Sequence, residues 1–313
     1  MLDLFGYSIK PNEAIHVSIY ADEIWPVKNI YSNENWIYSM AIYERTDMPI
    51  LNDLINYRFL KERENWKDYI EKNNTNIHWA EIGEDLNKKF VIERWLEYIR
   101  KDCFGNRKFY FSLIGINLNN FNTSEFDKNQ NLNSIYNRFF RSMLKYSLKK
   151  FFGRGVIVEN IFHEQGSQEK HKYFDWHTIF KLDQDEHLNF NCNLVEFLPK
   201  SHKEDKRVNI LQLCDVLGGI FKDLHCGFTE SKKNTTKRQI LDLPIVNNFF
   251  IKRVLRESKN VKSSYGHAKR FHVSFFPKIK SELGSLERLM DNFYDTSKIE
   301  LGFEYNPKQA KLF

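Results

Sequence analysis

The sequence has no CxxC pair: its four cysteines, Cys103, Cys192, Cys214 and Cys226, stand far apart. That spacing argues against a disulfide-stapled scaffold or a zinc ribbon and predicts reduced, mostly buried thiols. A zinc site built from Cys214, Cys226, His225 and His202 fits no usual ligand pattern. No stretch approaches the ~18 consecutive apolar residues of a membrane-crossing helix. Met1 to Pro11 lacks the basic segment, apolar stretch and small-residue cleavage site of an export signal. The expectation is a cytoplasmic protein with no membrane association. No internal repeat is present.

What the chain does have is enough apolar sequence for a large core. With 313 residues and 42% hydrophobic content it reads as globular and enzyme-sized rather than disordered. Its 27 Phe and 15 Tyr are so numerous that a single aromatic carries little functional weight. The formal net charge is only +6, yet it is unevenly placed. Between Lys200 and Lys280 roughly eighteen Lys and Arg stand against seven acids, a local excess of about 11, which leaves the remainder mildly acidic. A basic C-terminal third suits a phosphate backbone, because fixed positive charge displaces condensed counterions. A solvated basic face is the competing reading.

Along the chain, Ile15 to Ala21 and Trp36 to Tyr43 read as two strands of a hairpin, joined by a long turn in which Pro26 ends any regular ladder. Leu51 to Lys72 and Glu84 to Lys101 carry apolar residues at helical spacing. Lys108 to Leu118 reads as a central strand, Leu132 to Phe152 as a helix and Gly155 to His163 as another strand. Phe190 to Leu198 is a further strand, and Val208 to His225 an apolar helix in which Gly218 and Gly219 suggest close packing on the sheet. Glu230 to Arg238 reads as a loop, Leu243 to Ser258 as a helix and Phe271 to Phe276 as a strand. The order implies an α/β protein, a sheet covered by helices. The expected division is a core over residues 1–228 with helical insertions, and a basic C-terminal extension over 229–313 packed on that core.

Four places carry residues suited to chemistry. Asp22 and Glu23 end the first apolar strand, where a carboxylate emerges at the core edge. Pleating sends these neighbours to opposite faces, and either one is eligible to face a site. His78-x-x-Glu81 would, on a helical turn, project an imidazole and a carboxylate to one side, the first suited to proton transfer and the second to a metal. His163 and Glu164 repeat the strand-end arrangement. Asp215 lies inside an otherwise apolar helix, where an unpaired charge is costly and requires hydrogen bonds, a cation or a metal. The alternative for Asp215 is a plain ion pair with Lys222 or Arg207.

Tyr20-Ala21-Asp22-Glu23, Phe162-His163-Glu164 and Leu211-Gln212-Leu213-Cys214-Asp215 with Gly218-Gly219 together resemble a bacterial family named domain of unknown function 3800. Lys200-Ser201-His202-Lys203 resembles the polar turn before that helix. The resemblance spans roughly Val17 to Phe221, and its most specific block is Leu-Gln-Leu-x-Asp. Ile24 and Trp25 stand where the family usually has Ser and Gly, and Glu164 where Asp is common. The resemblance implies a ribonuclease-H-like mixed sheet flanked by helices.

It also implies divalent metal, Mg²⁺ or Mn²⁺, held by Asp22, Glu81, Glu164 and Asp215, with His78 or His163 assisting proton transfer during hydrolysis of a phosphodiester in RNA, DNA or a hybrid. Lys200, Lys203, Lys206 and Arg207 are the expected phosphate contacts. Trp25, Trp79 and Trp176 are candidates for stacking on bases, with core packing as the competing role. The rival function is a non-catalytic ribonuclease-H-like module that binds nucleic acid or a protein partner, and the altered residues after Asp22 point that way; a protein partner or homo-oligomer is expected with either function.

Overall fold

The computed structural model describes residues 14–59, 75–120, 131–153, 155–166, 168–171, 174, 178–179, 181–183, 185, 188–228, 234–255 and 270–276. The outer part of the helix expected to reach Lys72, the end of the one expected to reach Ser258, Trp176 and everything after Phe276 lie outside these residues. Among the described residues no helix is long and apolar enough to cross a membrane.

The protein is an α/β fold on a mixed seven-stranded sheet. β1 (Ile15–Lys28) and β2 (Asn35–Arg45) form the antiparallel hairpin, with Ile19 opposite Tyr43 and Asp22 opposite Met40. β3 (Tyr110–Asn117) continues the meander against β2. On the other side of β1, β4 (Val156–Glu164) runs parallel to it, with Tyr20 beside Phe162. β5 (Leu188–Phe190) and β6 (Val195–Leu198) both run parallel to β4, and β7 (Phe271–Phe276) runs parallel to β3 at the far edge. The strand order is β5-β4-β1-β2-β3-β7, with β6 also on β4. β3 is buried along its whole length, which explains its continuous apolar sequence.

Helices cover both faces. α1 (Leu51–Arg58), α2 (Leu86–Phe104), α4 (Val208–Cys226), α5 (Thr235–Leu241) and a wide-turn π helix (Val246–Leu255) lie on one face, whose core includes Trp36, Trp95, Leu211 and Phe250. α3 (Leu132–Phe152) covers the other, with Phe140 and Leu144 packed on Ile19 and Val158. Asp85 caps α2 by accepting from the Asn87 and Lys88 amides, and Asn131 caps α3 through the Asn133 amide.

Four sequence expectations change. β1 does not end at Ala21 but runs to Lys28, with its register shift between Ile24 and Val27, around Pro26, which has no amide to give the ladder. The single strand expected over 190–198 is two short ones, because β4 skips Glu159 in its register with β1 and takes β5 before that point and β6 after it. The loop expected over 230–238 contains the start of α5, whose Thr236, Ile240 and Leu241 are buried, so tertiary packing overrides a polar sequence. Residues 271–276, assigned by sequence to the extension, are a strand of the sheet itself.

Candidate carboxylate site

The site forms where β1 and β4 part. Their registered pairing ends at Ala21 with His163, while β1 goes on against β2 alone. Asp22 and Glu164 are the next residues of the two strands. Tyr20 and Phe162 face the α4 side, so the strand period of two puts Asp22 and Glu164 on that side too. α4 is held against β1 there by the Cys214 thiol, which donates to the Tyr20 carbonyl at 3.3 Å. The next residue on α4 is Asp215.

These three carboxylates share one electrostatic environment. Asp22 is 6% exposed, and its pKa is pushed well above the carboxylate range, first by burial and then by Asp215, Glu164 and Glu23. Its Oδ1 accepts the Glu23 amide at 2.8 Å, and among the described residues no cationic side chain lies within 4.0 Å of it. Glu164 is also raised, by burial and by Asp215, against the opposing pull of Lys200 and His78. Its Oε2 is 3.9 Å from the Lys200 ammonium.

Asp215 is not paired with Lys222 or Arg207. Its Oδ2 takes the His78 imidazole Nδ1 at 2.9 Å and the backbone amide of Trp79, while Oδ1 has no hydrogen bond from the described residues. The bond to Asp215 is the largest influence on His78 and raises its pKa. Lys222 instead contacts Asp223, and Arg207 is clamped by Asp205 and Glu196.

The segment bearing His78 and Trp79 is fixed by its fit to α4. The Trp79 indole N–H donates to Asp223 at 2.7 Å, and the ring lies so close to the helix that a Cβ on Gly219 would stand 2.2 Å from it. Gly218 meets the sheet through Ile24 and Met40. The two glycines therefore serve different neighbours. Gln212, three residues before Asp215, donates to Asn76 Oδ1 at 3.3 Å and to the Lys200 carbonyl at 3.4 Å, tying both flanking loops to α4. Buried Arg58 donates to Asn209 and Gln212 and to the Thr75 carbonyl. Gly219→Ala gains helix propensity of about 1 kcal/mol but overpacks Trp79 at a cost of about 1–3 kcal/mol. The expected outcome is a lower denaturation midpoint in urea.

Other expected site residues fall elsewhere. Glu23 and His163 face α3, on the opposite side of the sheet from Asp22. There the His163 Nε2 is 2.9 Å from Glu23 Oε2, a contact with ion-pair distance but without hydrogen-bond geometry, and 3.2 Å from the Tyr136 hydroxyl. His163 is fully buried among Phe140, Phe174 and Phe197. Burial works against its charged form, yet Glu23 holds its pKa above the usual imidazole value. Strand pleating is the reason this histidine does not accompany Glu164.

Glu81 closes a single 3-10 turn, Trp79–Glu81, with its side chain exposed; it is close enough to influence His78 but is not among the leading influences on Asp22 or Glu164. Lys203 and Lys206 are exposed, whereas Arg207 spends its guanidinium on two carboxylates and lies 4.6 Å from the Phe162 ring centroid. Trp79 is core, not a stacking surface, and Trp25 packs beside Tyr136.

Among the described residues, no group of three or more His, Cys, Asp or Glu is gathered to hold a metal ion as it stands. This covers the cysteines too: Cys226 and His225 surround the Tyr38 hydroxyl instead. The donor set of Asp22, Glu164 and Asp215 is nevertheless all hard oxygen, suited to Mg²⁺ or Mn²⁺. Mutual repulsion supplies a reason for a cation to bind, and the carboxylates would have to turn toward one another to complete the shell.

That repulsion has a pH signature. A carboxyl whose folded pKa is raised binds its proton more tightly when folded, so it favours the folded state below its unfolded pKa and that contribution is lost as pH rises through the folded value. In chelator, Asp22→Asn should therefore be more stable than the parent at neutral pH. The difference should vanish below the ordinary carboxylate range. Thermal melts of both proteins across pH check this.

No protein-family model matches the chain, and none of the curated proteins matches it.

Proposed function

We propose that the protein is a divalent-metal-dependent nuclease that hydrolyses a nucleic-acid phosphodiester at the Asp22, Glu164 and Asp215 carboxylates. The observation that carries this reading is the burial of Asp22, without a cationic partner among the described residues, beside two more acids delivered by β4 and α4. The strand order supports it as well. β1 to β3 form an antiparallel meander and β4 and β6 run parallel to β1, which is the arrangement expected of the ribonuclease-H-like core that the sequence resembles.

When bound, Mg²⁺ or Mn²⁺ would activate water and stabilise the leaving oxygen. The chain's own part is to present oxygen ligands from rigid elements. Asp22, on which both Asp215 and Glu164 act, would be the ligand supplied by β1. Asp215 is oriented by His78 and by the Trp79 amide, leaving Oδ1 for the cation. His78, bound to Asp215 through Nδ1, keeps Nε2 available to hold or pass a proton. Lys200, beside Glu164, would meet a substrate phosphate, together with exposed Lys203 and Lys206. Backbone charge of this kind gives affinity rather than sequence preference.

The test is cleavage of labelled RNA, DNA and hybrid substrates with Mg²⁺ or Mn²⁺ and with chelator. Metal-dependent products that disappear in chelator are expected. The second reading, a module that binds nucleic acid or protein without cutting, is favoured by the lack of a closed metal group among the described residues. Binding with no cleavage under either cation would establish it over the first.

A further inference from the structure

We infer that Lys237, on α5 and over the Trp79 ring, is a further phosphate contact of this site; the inference rests on the nuclease reading. Lys237 is half-buried, with its ammonium 6.0 Å from the centroid of the Trp79 ring. Trp79 donates its amide to Asp215 and its indole N–H to Asp223, so Lys237 stands over the residue that links these acids.

Both nearby carboxylates are already served. Asp223 takes Lys222 and the indole, and Asp215 takes His78 and the Trp79 amide. Among the described residues no carboxylate lies within 4.0 Å of the Lys237 ammonium, although Asp223 and Asp215 both act on it at longer range. A half-buried ammonium without an ion-pair partner loses hydration and recovers little, and its pKa is indeed lowered by burial. An anionic oxygen arriving at the acids from solvent would supply the missing partner.

Lys200 thus lies beside Glu164, in the loop whose carbonyl takes Gln212 of α4, and Lys237 lies on α5 beside the Trp79 that bonds Asp215. Two cations outside a metal-requiring centre suit the phosphates on either side of a scissile bond, where positive charge positions the strand without reading bases. The Trp79 ring faces the Lys237 ammonium at cation–π distance and leaves its remaining donors for a phosphate oxygen.

The test measures binding of fluorescein-labelled single-stranded DNA and RNA by anisotropy, with Ca²⁺ replacing Mg²⁺ to hold back turnover, for the full chain and its Lys237→Gln, Lys237→Arg and Lys101→Gln variants. Lys101 pairs with Glu97 on α2 and serves as the control. Loss of one charge-assisted contact should weaken binding by roughly ten-fold in Lys237→Gln and reduce the salt slope by about 0.7. Lys237→Arg and Lys101→Gln should bind as the parent does.

A purely structural Lys237 would lower the melting temperature and leave the salt slope unchanged. That result, or parent-like binding by Lys237→Gln, overturns this inference while leaving the nuclease reading intact. A parent protein that neither binds nor cuts the oligonucleotides overturns both.

Discussion

Asp215→Asn should lower Mg²⁺-dependent cleavage by about three orders of magnitude, since a metal-held charge contributes several kcal/mol at the transition state and each ~1.4 kcal/mol is ten-fold in rate. The substitution is nearly isosteric. Asparagine keeps one acceptor for the His78 imidazole and the Trp79 amide, the two groups that now bind Oδ2. The amide nitrogen takes the place of Oδ1, which has no bond from the described residues, so no internal hydrogen bond is lost. Removing one of three mutually repelling acids should leave the metal-free fold at least as stable as before. The loss should fall on kcat, because the phosphate-binding lysines are untouched. Single-turnover cleavage with matched circular dichroism melts separates the catalytic effect from any folding defect.

Trp79→Ala should be the most damaging substitution to the fold near the site. The side chain is 2% exposed, lies on Gly219 and donates to buried Asp223. Truncating a buried tryptophan typically costs about 3–5 kcal/mol, and here it also removes one of the donors that satisfy Asp223. Lys222 remains on that carboxylate, which limits the electrostatic part of the loss. The backbone amide that serves Asp215 survives the mutation, but it is no longer anchored by the ring. Urea denaturation should show a lower midpoint with an unchanged slope, and residual activity should be low because His78 loses its fixed position. Parent-like stability would mean that the indole does not hold this segment on α4.

Much of the sheet was legible because its strands are long apolar runs bounded by polar turns. β2, β3, β4 and β7 fall within a few residues of their expected limits. The end of β1 was not, since a strand bearing Asp22, Glu23 and Pro26 looks finished at Ala21. Its continuation depends on pairing with β2, a non-local fact. α5 was missed for the same kind of reason: Thr236 and Ile240 are buried by packing that a polar sequence does not announce.

At the site, Asp215 stood out because a charge in an apolar helix demands a partner, and Asp22 and Glu164 because strand ends expose carboxylates. The sequence left the choice between Asp22 and Glu23 open; the burial pattern of Tyr20 and Phe162 puts Asp22 on the α4 side. The same pleating removes His163 from the group. Trp79 was read as core packing or a base-stacking surface; burial shows the first, and the contact with Gly219 identifies it as the wedge beside His78. Gln212 had a usable signal in its three-residue spacing from Asp215, which puts the two on one side of the helix. Lys237 had only the general excess of Lys and Arg between Lys200 and Lys280, in a segment that read as a loop.

The most direct measurement of the central claim is a crystal structure of the protein soaked in Mn²⁺, with the ion located by its anomalous signal. The account predicts manganese bound among Asp22, Glu164 and Asp215, with the three carboxylates turned inward from their present positions. Manganese absent from that pocket at saturating concentration, with Asp22 still enclosed and facing no cation, would contradict it.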